Sequence, residues 1–216
     1  MRAIIFDLDG TLADTIEDLG GAVNRALARR GLPERAPDEY KLLVGNGFRN
    51  LAAQALPEDL RTDALIDEFK AETEADYAER CLELTRPYPG IPELLVELER
   101  LGLPLAVLSN KPQELTRKTV EGLFPRARFA VVRGEVPGFP RKPDPASALD
   151  IASRLGAEPG STIFLGDSNV DMKTALAAGM RPIGAGWGFR GEAELRAAGA
   201  EAVIGKPLEL LGLLDL

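Results

Sequence analysis

The chain has 216 residues, 45% hydrophobic and 28% charged, with a formal net charge of -8. That length supports one sizeable core, or a core with a small inserted domain, and the acidic balance, with basic residues scattered along the chain, argues against a nucleic-acid partner. Histidine is absent and Cys81 is the single cysteine, which excludes Ser-His-Asp and Cys-His chemistry, an internal disulfide, and a zinc site of nitrogen and sulfur ligands.

Acid–base work therefore falls to carboxylates, Lys or Tyr, and any catalytic metal is expected to be a hard, oxygen-liganded ion such as Mg²⁺. No apolar run approaches the roughly 20 residues of a membrane span. The chain opens directly on a strand pattern without a signal-peptide layout, so the expected location is cytoplasmic, with no membrane partner.

In chain order, the first predicted strand is "RAIIF" (2–6), which ends in Asp7, Asp9, Gly10 and Thr11. Residues 15–81 then contain no convincing strand. Thr15 and Asp18 have the spacing of a capping box, and Ile16, Leu19, Val23, Ala26 and Leu27 form the apolar stripe of the helix it would open. "DEYKLLVG", "NLAAQAL" and "DALIDEFKAETEADYAERC" continue as helices. "TRPYPG" (85–90) reads as the return linker, its Pro and Gly setting the path.

Beyond it, "PLAVLS" (104–109), "FAVVRG" (129–134), "TIFLG" (162–166), "RPIGAG" (181–186) and "EAVIG" (201–205) are further strand candidates. They are continuous apolar runs, as expected of parallel strands covered on both faces. Helical patterns ending in Gly102, Gly156 and Gly179 alternate with them. The predicted fold is an α/β, doubly wound (Rossmann-like) parallel sheet, with residues 1–14 and 82–216 as its core domain and 15–81 as an inserted all-α module.

In such sheets, ligands bind beyond the carboxyl ends of the strands. The polar residues expected there are Asp7 and Asp9, Ser109 and Asn110, Asp167 with Ser168 and Asp171, and Lys142 of "RKPDP". Crowded carboxylates raise one another's pKa and call for a cation. Asp7 and Asp167, with a backbone oxygen of Asp9, are the candidate Mg²⁺ ligands. Hydroxyls (Thr11, Ser109), an amide (Asn110), N–H groups near Gly10 and the Lys142 ammonium suit a phosphate. Together these residues suggest phosphoryl transfer. Asp171 also has a purely local reading, as a first-turn aspartate favoured by the helix dipole.

"DLDGT", "LAVLSN", the lysine of "RKPDP" and "FLGDSNVD" resemble, in order, the four motifs of the haloacid dehalogenase superfamily of phosphotransferases. The resemblance implies that Asp7 attacks phosphorus and becomes an aspartyl phosphate. Asp9 would protonate the leaving oxygen and then deprotonate water. Thr11, Ser109, Asn110 and Lys142 would bind the phosphoryl group, and Asp167 would complete the metal site with Asp171 behind it. The helical insert would be a cap closing over the substrate. "LLVGNG", "YPGIPELLVELERLGLPLAVLSNKP" and "GAGWGFRGEAELRAAGAE" further resemble phosphoglycolate phosphatases.

The expected substrate is thus a small phosphorylated metabolite, with 2-phosphoglycolate first. Pyrophosphatases and sugar-phosphate phosphatases share parts of these strings, and a phosphomutase shares all four motifs. A dehalogenase is disfavoured by Asp9. A receiver-like signalling module would lack the long insert. Lys41, Asn46 and Arg49 flank "VGNG" and are candidates for binding a substrate carboxylate, although solvated surface positions are the commoner use of such residues. Cys81 and Trp187 read as packing residues. The sequence carries no signal for oligomeric state.

Overall fold

A computed structural model describes residues 2–214. Its main sheet holds six parallel strands: β1 (Ala3–Phe6), β4 (Leu105–Pro112), β5 (Phe129–Glu135), β6 (Thr162–Gly166), β7 (Arg181–Ala185) and β8 (Ala202–Ile204), in the order β5-β4-β1-β6-β7-β8. Strand β1 lies at the centre, where the winding reverses direction. That reversal opens a crevice at the carboxyl edge.

The strands alternate side chains between two apolar layers. Ile4, Phe6, Leu105, Val107, Ile163 and Leu165 enter one layer, against α5 (Ile91–Arg100) and α6 (Gln113–Leu123). Ala3, Ile5, Ala106, Leu108 and Phe164 enter the other, against α7 (Ala146–Arg154) and α8 (Asn169–Ala177). Both layers explain why these strands read as continuous apolar runs. The edge strands differ: β5 and β8 are only partly buried, because each has a neighbour on one side alone. Full cover on both faces is thus a property of the four inner strands. Helix α9 (Glu192–Ala197) packs on β7 and β8.

Between β2 (Ala13–Asp14) and β3 (Arg86–Pro87) the chain builds α1 (Ile16–Arg29), α2 (Pro37–Leu43), α3 (Phe48–Ala55) and α4 (Asp63–Arg80). These four helices enclose a third apolar cluster, including Leu19, Val23, Leu27, Tyr40, Phe48, Phe69, Tyr77 and Cys81. Strands β2 and β3 pair antiparallel, Ala13 opposite Pro87 and Asp14 opposite Arg86, so the outgoing and returning chains run side by side. The segment "TRPYPG" is therefore half of a ribbon as well as a linker.

The capping box expected at Thr15 and Asp18 does not form. The Thr15 hydroxyl is buried without a hydrogen-bond partner among the described residues. Asp18 turns to the returning chain, where its carboxylate accepts from Leu84 N (3.1 Å), Thr85 N (2.8 Å) and Thr85 Oγ1 (2.7 Å). A buried carboxylate gains more from three donors than from one local N–H, and here it ties the start of α1 to the chain's re-entry.

Candidate active site

Four segments converge on the carboxyl edge. Asp7 follows β1 and is 6% exposed. Asp167 follows β6, and Asp171 lies in the first turn of α8; both are buried. Lys142, buried as well, lies on the loop between β5 and α7 in a cis linkage to Pro143. Its Nζ is 2.7 Å from Asp7 Oδ1 and 2.7 Å from Asp171 Oδ1. One ammonium thus bridges two carboxylates.

Small residues make this crowding sterically possible. Gly10 has φ +88°, and a Cβ there would collide with the Asp167 carboxylate. A Cβ at Gly188 would strike both Asp167 and the Gly10 carbonyl. The "GWGF" segment (186–189) after β7 therefore walls the acidic cluster. Its Phe189 N–H donates to Asp167 Oδ2 (2.7 Å), and Trp187 Nε1 donates to the Thr11 carbonyl (3.0 Å).

The structure gives two of the expected phosphate-binding side chains partners within the protein. The Thr11 hydroxyl is buried and donates to Asp167 Oδ1 (3.4 Å), so it steadies a carboxylate. The Asn110 amide is spent on backbone: Nδ2 donates to the Gly45 carbonyl (2.9 Å) and the Lys142 carbonyl (3.0 Å), while Oδ1 accepts from Lys142 N (2.9 Å). Asn110 fixes the path of the lysine's own chain. Ser109 does line the crevice, with its Oγ accepting from Lys111 N (3.1 Å). The pairing of β4 with β5 skips from Leu108–Arg133 to Pro112–Glu135, a bulge that releases Ser109, Asn110 and Lys111 from the ladder.

Asp9 lines the same crevice, and its Oδ1 is 2.5 Å from Lys111 Nζ. Lys111 is the residue that the sequence reading missed. Its place directly after Ser109 and Asn110 was the available signal.

Electrostatics separate the two lysine systems. Burial first, then the Asp171 charge, push the Asp7 carboxyl up from 3.8 to about 7, against the opposing pull of Lys142. Burial, Asp171 and Asp7 likewise push Asp167 well above the usual carboxylate range. Burial alone would lower the Lys142 pKa, but Asp171 and Asp7 more than offset it and hold the ammonium charged. The same balance keeps Lys111 protonated, with Asp9 as the main opposing charge.

Oxygen atoms of Asp7, Asp167 and Asp171 lie within 4.8 Å of one another. Three carboxylates face one ammonium in this cluster. The all-oxygen donor set and the uncompensated charge fit a hard divalent cation.

The crevice has a contrasting roof of Leu19, Val44, Gly45, Gly47, Phe48 and Leu51. The loop from 42 to 46 is held down by donors from the sheet side. Arg190 Nη2 reaches the carbonyls of Leu42 (2.8 Å) and Val44 (3.0 Å), Asn110 reaches Gly45, and Arg141 Nη1 reaches Asn46 (3.4 Å). Lys41 and Arg49 point elsewhere. Lys41 pairs with Asp38 (2.7 Å), and Arg49 pairs with Asp63 (2.5 Å) and Asp67 (2.8 Å). Neither they nor Asn46 line the crevice.

A doubly wound parallel sheet with buried aspartates and lysines at its switch point, under a roof of inserted helices, defines an α/β enzyme whose chemistry rests on carboxylates. The chain belongs to the haloacid dehalogenase-like hydrolase family, whose model matches residues 4–185. It is 33% identical over 215 residues to the phosphoglycolate phosphatase of Aquifex aeolicus, covering 100% of this chain and 97% of that one. It is 32% identical over 218 residues to the N-acetylmuramic acid 6-phosphate phosphatase of Pseudomonas aeruginosa, covering 100% and 95%. A crystal structure from Lactobacillus delbrueckii subsp. bulgaricus, provisionally named a phosphoglycolate phosphatase, superposes with a TM-score of 0.92. That chain is 31% identical, with 98% of this chain and 97% of that one covered. Membership of a hydrolase family removes the receiver-like alternative. No helix among the described residues is long and apolar enough to cross a membrane.

Proposed function

We propose that the protein is a Mg²⁺-dependent phosphatase of a small phosphomonoester, with 2-phosphoglycolate as the leading substrate. The observation that carries this reading is Asp7, held at the end of the central strand with Lys142 Nζ at 2.7 Å and the other carboxylates around it.

Asp7 is the nucleophile: its carboxylate attacks phosphorus and forms an aspartyl phosphate. Asp9 gives a proton to the leaving oxygen and later takes one from the hydrolytic water. Lys142 offsets charge on Asp7 and on the transferring group, and Ser109 binds a phosphoryl oxygen. Asp7, Asp167 and a backbone oxygen of Asp9 would hold Mg²⁺ with Asp171 behind them, and the ion would supply charge stabilisation to the phosphoryl oxygens. Residues 15–81 act as a cap on the core formed by 1–14 and 82–216, excluding bulk water from the crevice.

The small-substrate reading draws support from the roof. Its lining side chains are apolar, so neither a sugar's hydroxyls nor a glycolate carboxylate meets a side-chain partner there, and the roof bears on size alone. The test is a panel of phosphomonoesters with and without EDTA. It should include phosphoglycolate, p-nitrophenyl phosphate, a hexose 6-phosphate, N-acetylmuramic acid 6-phosphate and pyrophosphate. Turnover that depends on Mg²⁺ and peaks at phosphoglycolate supports the proposal. A peak at a sugar phosphate would replace the substrate, and activity that survives EDTA would remove the metal.

A further inference from the structure

One buried ion pair in the crevice lies apart from the carboxylate cluster. The Lys111 side chain is 1% exposed; its Nζ is 2.5 Å from Asp9 Oδ1 and 4.8 Å from the centre of the Tyr77 ring. Its two neighbours come from different parts of the molecule. Asp9 belongs to the loop after β1, and Tyr77 to α4 of the inserted helices. Tyr77 is itself fully buried and packs against Phe48 of the roof, ring centres 5.7 Å apart.

A desolvated ammonium is tolerated here because a carboxylate faces one side and an aromatic face the other. As stabilisation alone the pair has little to recommend it, since an apolar pair of similar volume usually does as well. Its location gives it another use. Asp9 and Lys111 both line the crevice, and a short carboxylate free to rotate needs a fixed partner to hold one aim.

We propose that Lys111 is a positioning residue for Asp9, and that the Tyr77 ring makes this positioning depend on the seating of the inserted helices. This rests on the aspartate-based phosphatase reading above. In the first step Asp7 bonds to phosphorus and the bond from phosphorus to the ester oxygen breaks. That oxygen leaves with the electron pair and takes the proton that Asp9 carries into this step, which leaves Asp9 as the carboxylate paired with Lys111 in the structure. In the second step water bonds to phosphorus and its proton passes to Asp9. The bond to Asp7 then breaks, releasing phosphate and restoring the Asp7 carboxylate.

The p-nitrophenolate ion leaves without a proton, so with that ester only the second step needs Asp9. The experiment uses the full chain with Mg²⁺ and p-nitrophenyl phosphate. Nitrophenolate release is measured in a single turnover with enzyme in excess, and again in the steady state. For Lys111→Met, single-turnover release should stay within about twofold of wild type while steady-state turnover falls about tenfold, less than the roughly 10²–10⁴-fold of losing the proton-transfer group itself. Tyr77→Leu should split the two rates in the same direction, and Tyr77→Phe, which keeps the ring, should restore their ratio.

Equal loss in both measurements would mark Lys111 as merely structural and overturn the proposal; so would no loss in either. If Lys111→Met does not fold by circular dichroism, the comparison of Tyr77→Leu with Tyr77→Phe decides in the same way. Asp9→Asn is the control for the underlying reading. If it leaves the two rates unsplit, the role of Asp9 fails; if it splits them and Lys111→Met does not, only the positioning role fails.

Discussion

The floor and the roof of the crevice follow opposite rules. The floor buries Asp7, Asp167, Asp171, Lys142 and Lys111 along the carboxyl edge of the sheet. The roof presents Leu19, Val44, Phe48 and Leu51, and sends Lys41 and Arg49 away to acidic partners. Charge is thus concentrated where the sheet holds it rigidly. The opposite face carries shape instead. On the function proposed above, the chemistry belongs to the floor, and the roof contributes exclusion of water and a limit on size.

The first way to break this comparison is at the nucleophile. Asp7→Asn should lower turnover by at least about 10³-fold, as removal of a nucleophile typically does, with an unchanged circular dichroism spectrum. Retained turnover would move the chemistry away from the floor. Lys142→Met comes next. It strips the shared cation from Asp7 and Asp171, so turnover should fall about 10²-fold. Breaking a buried pair of this kind costs about 3–5 kcal/mol, visible in urea melts.

A third prediction reads the crowding through pH. The native Asp7 carboxyl is held up to about 7, from an ordinary 3.8. In metal-free protein its contribution therefore favours the fold fully below the unfolded pKa and is lost as pH rises through about 7. The melting temperatures of wild type and Asp7→Asn should agree near pH 4. By pH 8 the variant should melt several degrees higher, at about 2–4 °C per kcal/mol for a chain of this size. Saturating Mg²⁺ should raise the wild type and narrow the gap. A gap independent of pH would deny the crowding.

The smallest expected effect tests the roof. Lys41→Ala and Arg49→Ala should leave KM for phosphoglycolate within error. A severalfold rise would show that the roof selects by charge after all.

Much of the floor was legible because buried parallel strands have a strong signature. "TIFLG" is β6 residue for residue, and the charged residues that follow the first strand and "TIFLG" fall at the carboxyl edge, as the topology demands. What escaped was set by contacts across long sequence distances. A two-residue ribbon such as β2–β3 is too short to show a period. Asp18 has the spacing of a cap partner, yet its donors lie 66 and 67 residues away. Thr11 and Asn110 have groups that suit a phosphate, and only the fold reveals that Asp167 and the Lys142 backbone have claimed them. The Lys111–Asp9 pair spans 102 residues and leaves no local pattern.

The β2–β3 ribbon has a further consequence. Because Ala13 and Asp14 lie hydrogen-bonded beside Pro87 and Arg86, the ends of the intervening segment are already neighbours. The sheet's winding does not depend on what that segment contains. A different set of helices, or a short turn, can be spliced across the same two rungs without rethreading a single strand. The threading of the sheet is in this sense a socket, into which one contiguous stretch of sequence plugs.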